Sequence, residues 1–286
     1  MINYSKMAEA NGLGWNVSKV PLLTPDGTES GYYGIQRDDT SEVFGAVGKV
    51  YKPFQNSELF ELADAVSNET NLPVHKAGMM KNGRLVYVQL LAGACKGIGE
   101  NNDEVQSYVT CVSSHDGTTP VKWGSTNLTI SCMNTYHQVA KGMKSSARHT
   151  TKAIDNLRAT MMQVSKVQDD IESNNELFKR LAEKSVSEQQ VQYLIELISG
   201  VDFAKTPDQI NNDHHGRQIN RAKAIEDSIR KEMSYKGKTL WGLWSGVTHY
   251  TTHKAGRSED ARLANKLAGT GLQLDAMTLN RVSLWL

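Results

Sequence analysis

The 286-residue chain is short of cysteine, has no long apolar run and lacks a phosphate-cradling glycine loop. Its three cysteines, Cys95, Cys111 and Cys132, are odd in number and never spaced CxxC. That excludes a disulfide framework and a zinc ribbon, and leaves buried thiols acting as small hydrophobes. No window approaches the roughly 18 apolar residues of a membrane helix. The opening MINYSKMAEANGLGW has no hydrophobic signal segment, so a cytoplasmic protein without a membrane partner is expected. GxxxxGK(S/T) is absent, so no Walker-type nucleotide site is indicated, and Gly97-Ile98-Gly99 lacks the spacing of a dinucleotide loop. Internal repeats and low-complexity tracts are also missing.

What is present is an ordinary globular balance, 39% hydrophobic and 22% charged, ample for a core. The net charge of +1 hides an asymmetry. Residues 1–140 carry four more acids than bases, and residues 141–286 five more bases than acids. Between 141 and 166 stand Lys141, Lys144, Arg148, Lys152, Arg158 and Lys166 against the single acid Asp155. A local basic stripe on a near-neutral chain suits a confined polyanion site.

The stretch Tyr108–Lys152 organises the rest. Tyr108 to Ser114 alternates and is rich in Val and Thr, as a half-buried strand should be. His115-Asp116-Gly117 is a turn signal. Pro120–Trp123 and Leu128–Cys132 read as two short return strands broken by Gly124–Asn127. After Cys132 the period changes: Met133, Tyr136, Val139 and Ala140 fall on one helical face, followed by the cations. Upstream, Gly31–Gln36 and Val43–Tyr51 form a hairpin, and residues 21–31 a loop. Asn56-Ser57 caps a helix over Glu58–Ser67. Lys81-Asn82-Gly83 is a hairpin turn, and Gly93–Glu104 a polar loop. From residue 141 the chain reads as helical: a long helix from Ile154, one or two more ending at Ser199-Gly200, a polar patch with His214-His215, then Ile219–Met233. Leu240–His253 follows, capped by Thr239, with further helix over Arg257–Arg281. The expected class is α+β: an N-terminal antiparallel β-sheet with a β-β-β-α core over residues 1–152, then a mainly helical region over residues 153–286.

No catalytic constellation stands out. His249 and His253 have i,i+4 spacing but lack the intervening Glu of a zinc protease. His115-Asp116 reads as turn residues before it reads as an acid/base pair. Lys141, Lys144, Arg148 and Lys152 are three to four residues apart, so on a helix they share a face. Such cations beside a sheet make a groove that tracks a phosphate backbone. Arg158, Lys122, Lys52 and Arg84 are further candidate phosphate contacts, and Tyr136 a base-stacking aromatic. A solvated basic face is the bland alternative.

These residues also carry a resemblance. His115-Asp116-Gly117, Ile130–Thr135 and Arg148-His149-Thr150, in that order, are similar to a family of phage/plasmid-like proteins. That family shows an SHDGS turn, a V-x-C-x-N-T junction and a downstream R-H-T. Leu13-Gly14-Trp15, Gly45–Tyr51, Ala77-Gly78, Gly83-Arg84 and Thr239–Gly242 through Thr248 add family-like pieces over nearly the whole chain. Met133 and Tyr136 depart from the pattern, which has a second polar residue and Leu there. The β-β-β-α order further resembles the core of the Red beta/RecT single-strand annealing superfamily. That resemblance implies an ATP-independent single-stranded DNA-binding and annealing protein of a phage or mobile element. It implies a homo-oligomeric ring or filament, with no cofactor and no chemical step. It would work in the bacterial host cytoplasm, with a phage exonuclease or host single-strand-binding protein as possible partners. The rival readings are an enzyme on nucleic acid or nucleotides centred on His115, Asp116 and Asn134, and a structural or anti-defence interaction protein.

Overall fold

The computed structural model describes residues 4–129, 134–136, 145–150, 155, 165–203 and 213–286. The class is α+β. The chain divides into two units interleaved along the sequence. Residues 1–93, 107–126 and 140–170 form the first, and residues 94–106, 127–139 and 171–286 the second.

In the first unit, after α1 (Tyr4–Ala10), a three-stranded antiparallel meander joins β1 (Val17–Leu23), β2 (Glu29–Arg37) and β3 (Val43–Val47) in the order β1-β2-β3. The loop expected over residues 21–31 shrinks to a tight turn, because Pro21 and Leu23 pair with Tyr33 and Glu29. The polar stretch after Arg37 closes the β2–β3 hairpin as expected, Arg37 N–H donating to Glu42 O at 2.9 Å. Helix α2 (Asn56–Thr70) buries Leu59, Leu62, Ala63 and Val66. Its cap is Gln55, one residue before the expected Asn56. Gln55 forms a capping box with Glu58 and also bonds both backbone groups of Val17. Asn56 is thereby turned inward.

A second antiparallel sheet follows the order β4-β5-β6-β7-β8, with β9 also on β7. Its strands are β4 (Val74–Met80), β5 (Leu85–Ile98), β6 (Asp103–Ser114), β7 (Val121–Thr129), β8 (Asn134–Tyr136) and β9 (Ser145–Ala147). The Lys81-Asn82-Gly83 turn is present, with all three residues at positive φ. The polar loop expected over Gly93–Glu104 is mostly strand: β5 runs on to Ile98 and β6 begins at Asp103. Cys95, Ile98 and Val105 are buried, so this glycine-rich stretch still supplies an inward face. β7 also continues through Gly124–Asn127, where a break was expected.

The main departure follows β7. Residues 134–136 and 145–147 are strands paired to β7, not turns of one helix. Pairing to an open sheet edge outweighs a four-residue helical pattern, because strand formation depends on neighbours more than on local preference. Asn134 and Thr135 are therefore ladder residues rather than a helix cap.

The second unit is built on α3 (Ser165–Glu183) from Ile171 onward, α4 (Glu188–Ser199), α5 (Asp213–Lys236), α6 (Leu240–His253), α7 (Glu259–Ala268) and α8 (Thr270–Ser283). Several local signals act as read. Gly200 ends α4 at φ 74°, and Thr239 caps α6 by accepting from Gly242 N–H at 3.2 Å. His214-His215 lies in the first turn of α5 rather than in a polar loop. Helix α6 is buried from Leu240 to Thr251, and Phe178, Trp241 and Trp244 pack ring on ring within 5.5 Å between centroids. No helix of the described residues is long and apolar enough to cross a membrane.

Two glycines let α5 and α6 meet. A Cβ on Gly246 would stand 2.3 Å from Ile229 Cα, and one on Gly242 2.3 Å from Gly237 O. Gly246→Ala must push backbone from backbone, so a loss at or above the roughly 1–3 kcal/mol of core overpacking is expected. Urea unfolding followed by tryptophan fluorescence measures it. An unchanged midpoint would mean that the helices separate at no cost.

Candidate nucleic-acid interface

The loop after β6 fixes the site's frame within the first unit. Ser114 Oγ donates to Thr119 O and accepts from Thr119 N–H, both at 2.9 Å. Inside that ring Asp116 accepts from Thr118 N–H at 2.9 Å, and Gly117 takes φ 76°. β3 lies close against this loop: a Cβ on Gly45 would sit 2.7 Å from Asp116 O.

His115 and Asp116 diverge from this loop, as adjacent turn residues do. His115 is fully buried, edge-on to Trp15 at 5.1 Å and stacked over Phe44 at 6.1 Å between centroids. The Asn56 amide donates to Leu13 O and Trp15 O, which leaves its oxygen as acceptor for His115 Nε2–H at 2.9 Å. Burial above all, then the neighbouring His149, depresses the His115 pKa to about 3. His115 is thus a neutral strut in the core. Asn134, its companion in the enzymatic reading, belongs to the second unit.

His149 is the second strut. It is buried, its Nε2–H donates to Thr119 O at 3.1 Å, and its carbonyl accepts from Lys52 N–H at 2.8 Å. Tyr51 stacks on its ring at 4.7 Å and donates its phenol proton to Ser114 O at 3.2 Å. Burial first, then nearby Asp116, raises the Tyr51 pKa, so the phenol keeps that proton. Desolvation likewise holds His149 below the usual imidazole range.

These struts place three cations. In the β7–β9 ladder Lys122 pairs with Ser146. Val121, Trp123 and Ala147 are buried, whereas Ser146 and Arg148 are exposed. Because strand side chains alternate, Lys122 and Ser146 share the outward face, and exposed Arg148 follows directly after β9. Lys52, exposed, is tied to the same place through His149. None of the three makes an ion pair among the described residues. Asp116 is the acid beside the His149 end of this patch.

The remaining expected contacts fall elsewhere. Arg84 reaches Glu42 at 3.5 Å and so is partly neutralised. Tyr136 is in β8. Lys141, Lys144, Lys152 and Arg158 lie outside the described residues, and so does the helix expected from Ile154 over most of its length. Arg148 follows β9, so helical spacing does not link it to Lys141 and Lys144.

Sequence reading missed Lys19. Its ammonium gathers the carbonyls of Gly48, Lys49 and Tyr51 at 3.3, 2.8 and 3.2 Å and lies 4.2 Å from the Tyr33 ring centroid. It thereby curls the segment that carries Lys52. A contact across some thirty residues leaves no local signal. Cys95 and Cys111 are free, buried thiols, with Cys111 pushed up to about 12 by burial, while Cys132 lies outside the described residues. Among the described residues no three His, Cys, Asp or Glu side chains gather as a metal site.

The fold and this site define an α+β protein whose separated Trp15, Gly45, His-Asp-Gly and Arg-His-Thr segments close on two buried imidazoles. Residues 43–268 match the family described as "Domain of unknown function (DUF932)", and the chain belongs to that family. Comparison with the curated proteins and with the solved structures finds no match.

Proposed function

We propose that the protein binds single-stranded DNA and anneals complementary strands without ATP, in the recombination of a phage or mobile element. The observation that supports this reading is the grouping of Lys52, Lys122 and Arg148. Three separated segments that meet around His149 carry these cations, and none is neutralised by an ion pair among the described residues. Cations so arranged hold phosphates and leave bases turned outward, free to pair with a second strand. The annealing step comes from the resemblance to Red beta and RecT. In this reading Lys141, Lys144, Lys152 and Arg158 extend the phosphate track, Tyr136 stacks a base, and copies of the chain assemble along the strand. An exonuclease that exposes the strand, or a host single-strand-binding protein, is the natural partner in the bacterial cytoplasm.

The test is a salt titration of oligothymidine binding by Lys52→Gln, Lys122→Gln and Arg148→Gln. Each lost phosphate contact lowers the slope of log affinity against log salt by about 0.7. The loss should be the same for any base sequence. Folded variants with wild-type affinity and slope would remove this face from consideration.

A further inference from the structure

The second unit holds a cavity of about 500 Å³ between the end of α5 and the end of α6. It is lined by Lys231, Glu232, Tyr235, Lys236, His249, His253 and Lys254. That volume suits a nucleotide-sized molecule.

The polar groups in it are specific. Lys231 Nζ lies 3.3 Å from His249 Nε2. An ammonium can only donate, so Nε2 accepts and the imidazole proton sits on Nδ1. His249 is 7% exposed, and its Nδ1 has no hydrogen-bond partner. This is a buried donor awaiting an acceptor, a costly arrangement when left empty. His253 lies beside it, its ring tilted by 47° at 4.7 Å between ring centroids, and Lys254 follows at the end of α6. Deeper in, Lys236 bridges Asp103 at 2.9 Å and Glu232 at 3.8 Å. That same Glu232 oxygen, Oε2, lacks a hydrogen bond. A metal is a poor occupant, since the imidazole lone pair already faces an ammonium and two further lysines line the cavity. An anion meets donors at Lys231, Lys254 and His249.

We propose that this cavity is a binding site for a phosphate group, carried either by a small phosphorylated molecule or by the 5′ end of a DNA strand. Lys231 and Lys254 supply the charge, His249 Nδ1–H the buried hydrogen bond, and exposed Tyr235 a surface for the attached group. The site does not depend on the cationic face of the first unit.

Burial, followed by His253, Lys231 and Lys254, holds His249 down to about 4, while burial raises Glu232 against the pull of Lys236 and Lys231 and with the push of Asp103. A bound anion favours the protonated form of both. Sulfate, dianionic throughout the range, should therefore bind more tightly as pH falls toward about 4, where His249 takes up a proton.

The experiment is calorimetric titration of the full chain with inorganic pyrophosphate, sulfate and sodium chloride as a control. Oligothymidine with and without a 5′ phosphate is tested in parallel. Pyrophosphate binding weakened at least about tenfold by Lys231→Gln and by Lys254→Gln is the expected result. Both lysines are exposed, so both variants should fold. Tighter binding of the 5′-phosphorylated strand, lost in these variants but not in Arg148→Gln, assigns the phosphate to DNA. Equal binding of the two strands assigns it to a small molecule. Absence of pyrophosphate binding, wild-type affinity in both variants, or binding matched by chloride would each overturn the proposal.

Discussion

Lys266→Met should destabilise the second unit by about 3–5 kcal/mol, the usual cost of orphaning one member of a buried ion pair. Lys266 and Asp275 are 1% and 0% exposed and joined directly through Nζ and Oδ2. The other Asp275 oxygen accepts from Thr251 Oγ1 at 2.7 Å, so the carboxylate links α6, α7 and α8. Desolvation already raises its pKa, and the Lys266 charge is the chief pull the other way. Without that charge the carboxyl must take a proton or face the interior uncompensated. The double variant Lys266→Met/Asp275→Leu should recover much of the loss, because two apolar groups leave no charge behind. Urea unfolding read by tryptophan emission tests both. A single variant costing under about 1 kcal/mol would show that water reaches the pair.

Acid should act on the first unit through His115. Its pKa is about 3 in the fold against an ordinary 6.5. Above 6.5 neither state is protonated, and nothing is lost. As pH falls through 6.5, the unfolded chain takes up a proton that the native core refuses, and stability falls until the folded pKa is reached. The loss between pH 7 and pH 5 is about 2 kcal/mol from this residue, at about 1.4 kcal/mol per unit. His149 is shifted in the same direction and adds to it. Between those limits most carboxylates stay ionised, so the histidines dominate. His115→Gln keeps a donor for Asn56; it should be less stable at pH 7 but flatter in its pH dependence. Parallel curves for the variant and the wild type would refute the assignment.

Local chemistry made part of this molecule legible. The Lys81-Asn82-Gly83 turn, the His115-Asp116-Gly117 turn, the Thr239 cap and the Gly200 stop are each dictated by one or two residues. What could not be read depends on partners distant in the chain. β8 and β9 exist because β7 offers an edge. The ends of β5 and β6 hide among glycines because only burial of Cys95, Ile98 and Val105 marks them. Gln55 caps α2 while also bonding Val17, a double duty that favours its longer side chain. At the candidate site, charge marks Lys52, Lys122 and Arg148, and the resemblance singles out Arg148. What groups them is a sheet ladder and a buried histidine, not helical spacing.

The interleaving of the two units has a consequence for how the chain is made. Thr119 waits for His149, and Asn56 for His115, so the first unit has no complete interior while only its opening hundred residues have left the ribosome. Vectorial synthesis therefore cannot finish one unit before starting the next. The segment 94–106 emerges long before the helices from residue 171 onward that complete its unit. No single cut separates the units either. A fragment ending at residue 93 lacks two pieces of the first, and one ending at residue 170 carries two orphaned pieces of the second. Nascent chains should hold exposed strand edges until late in translation, and truncated versions should be found with chaperones rather than free.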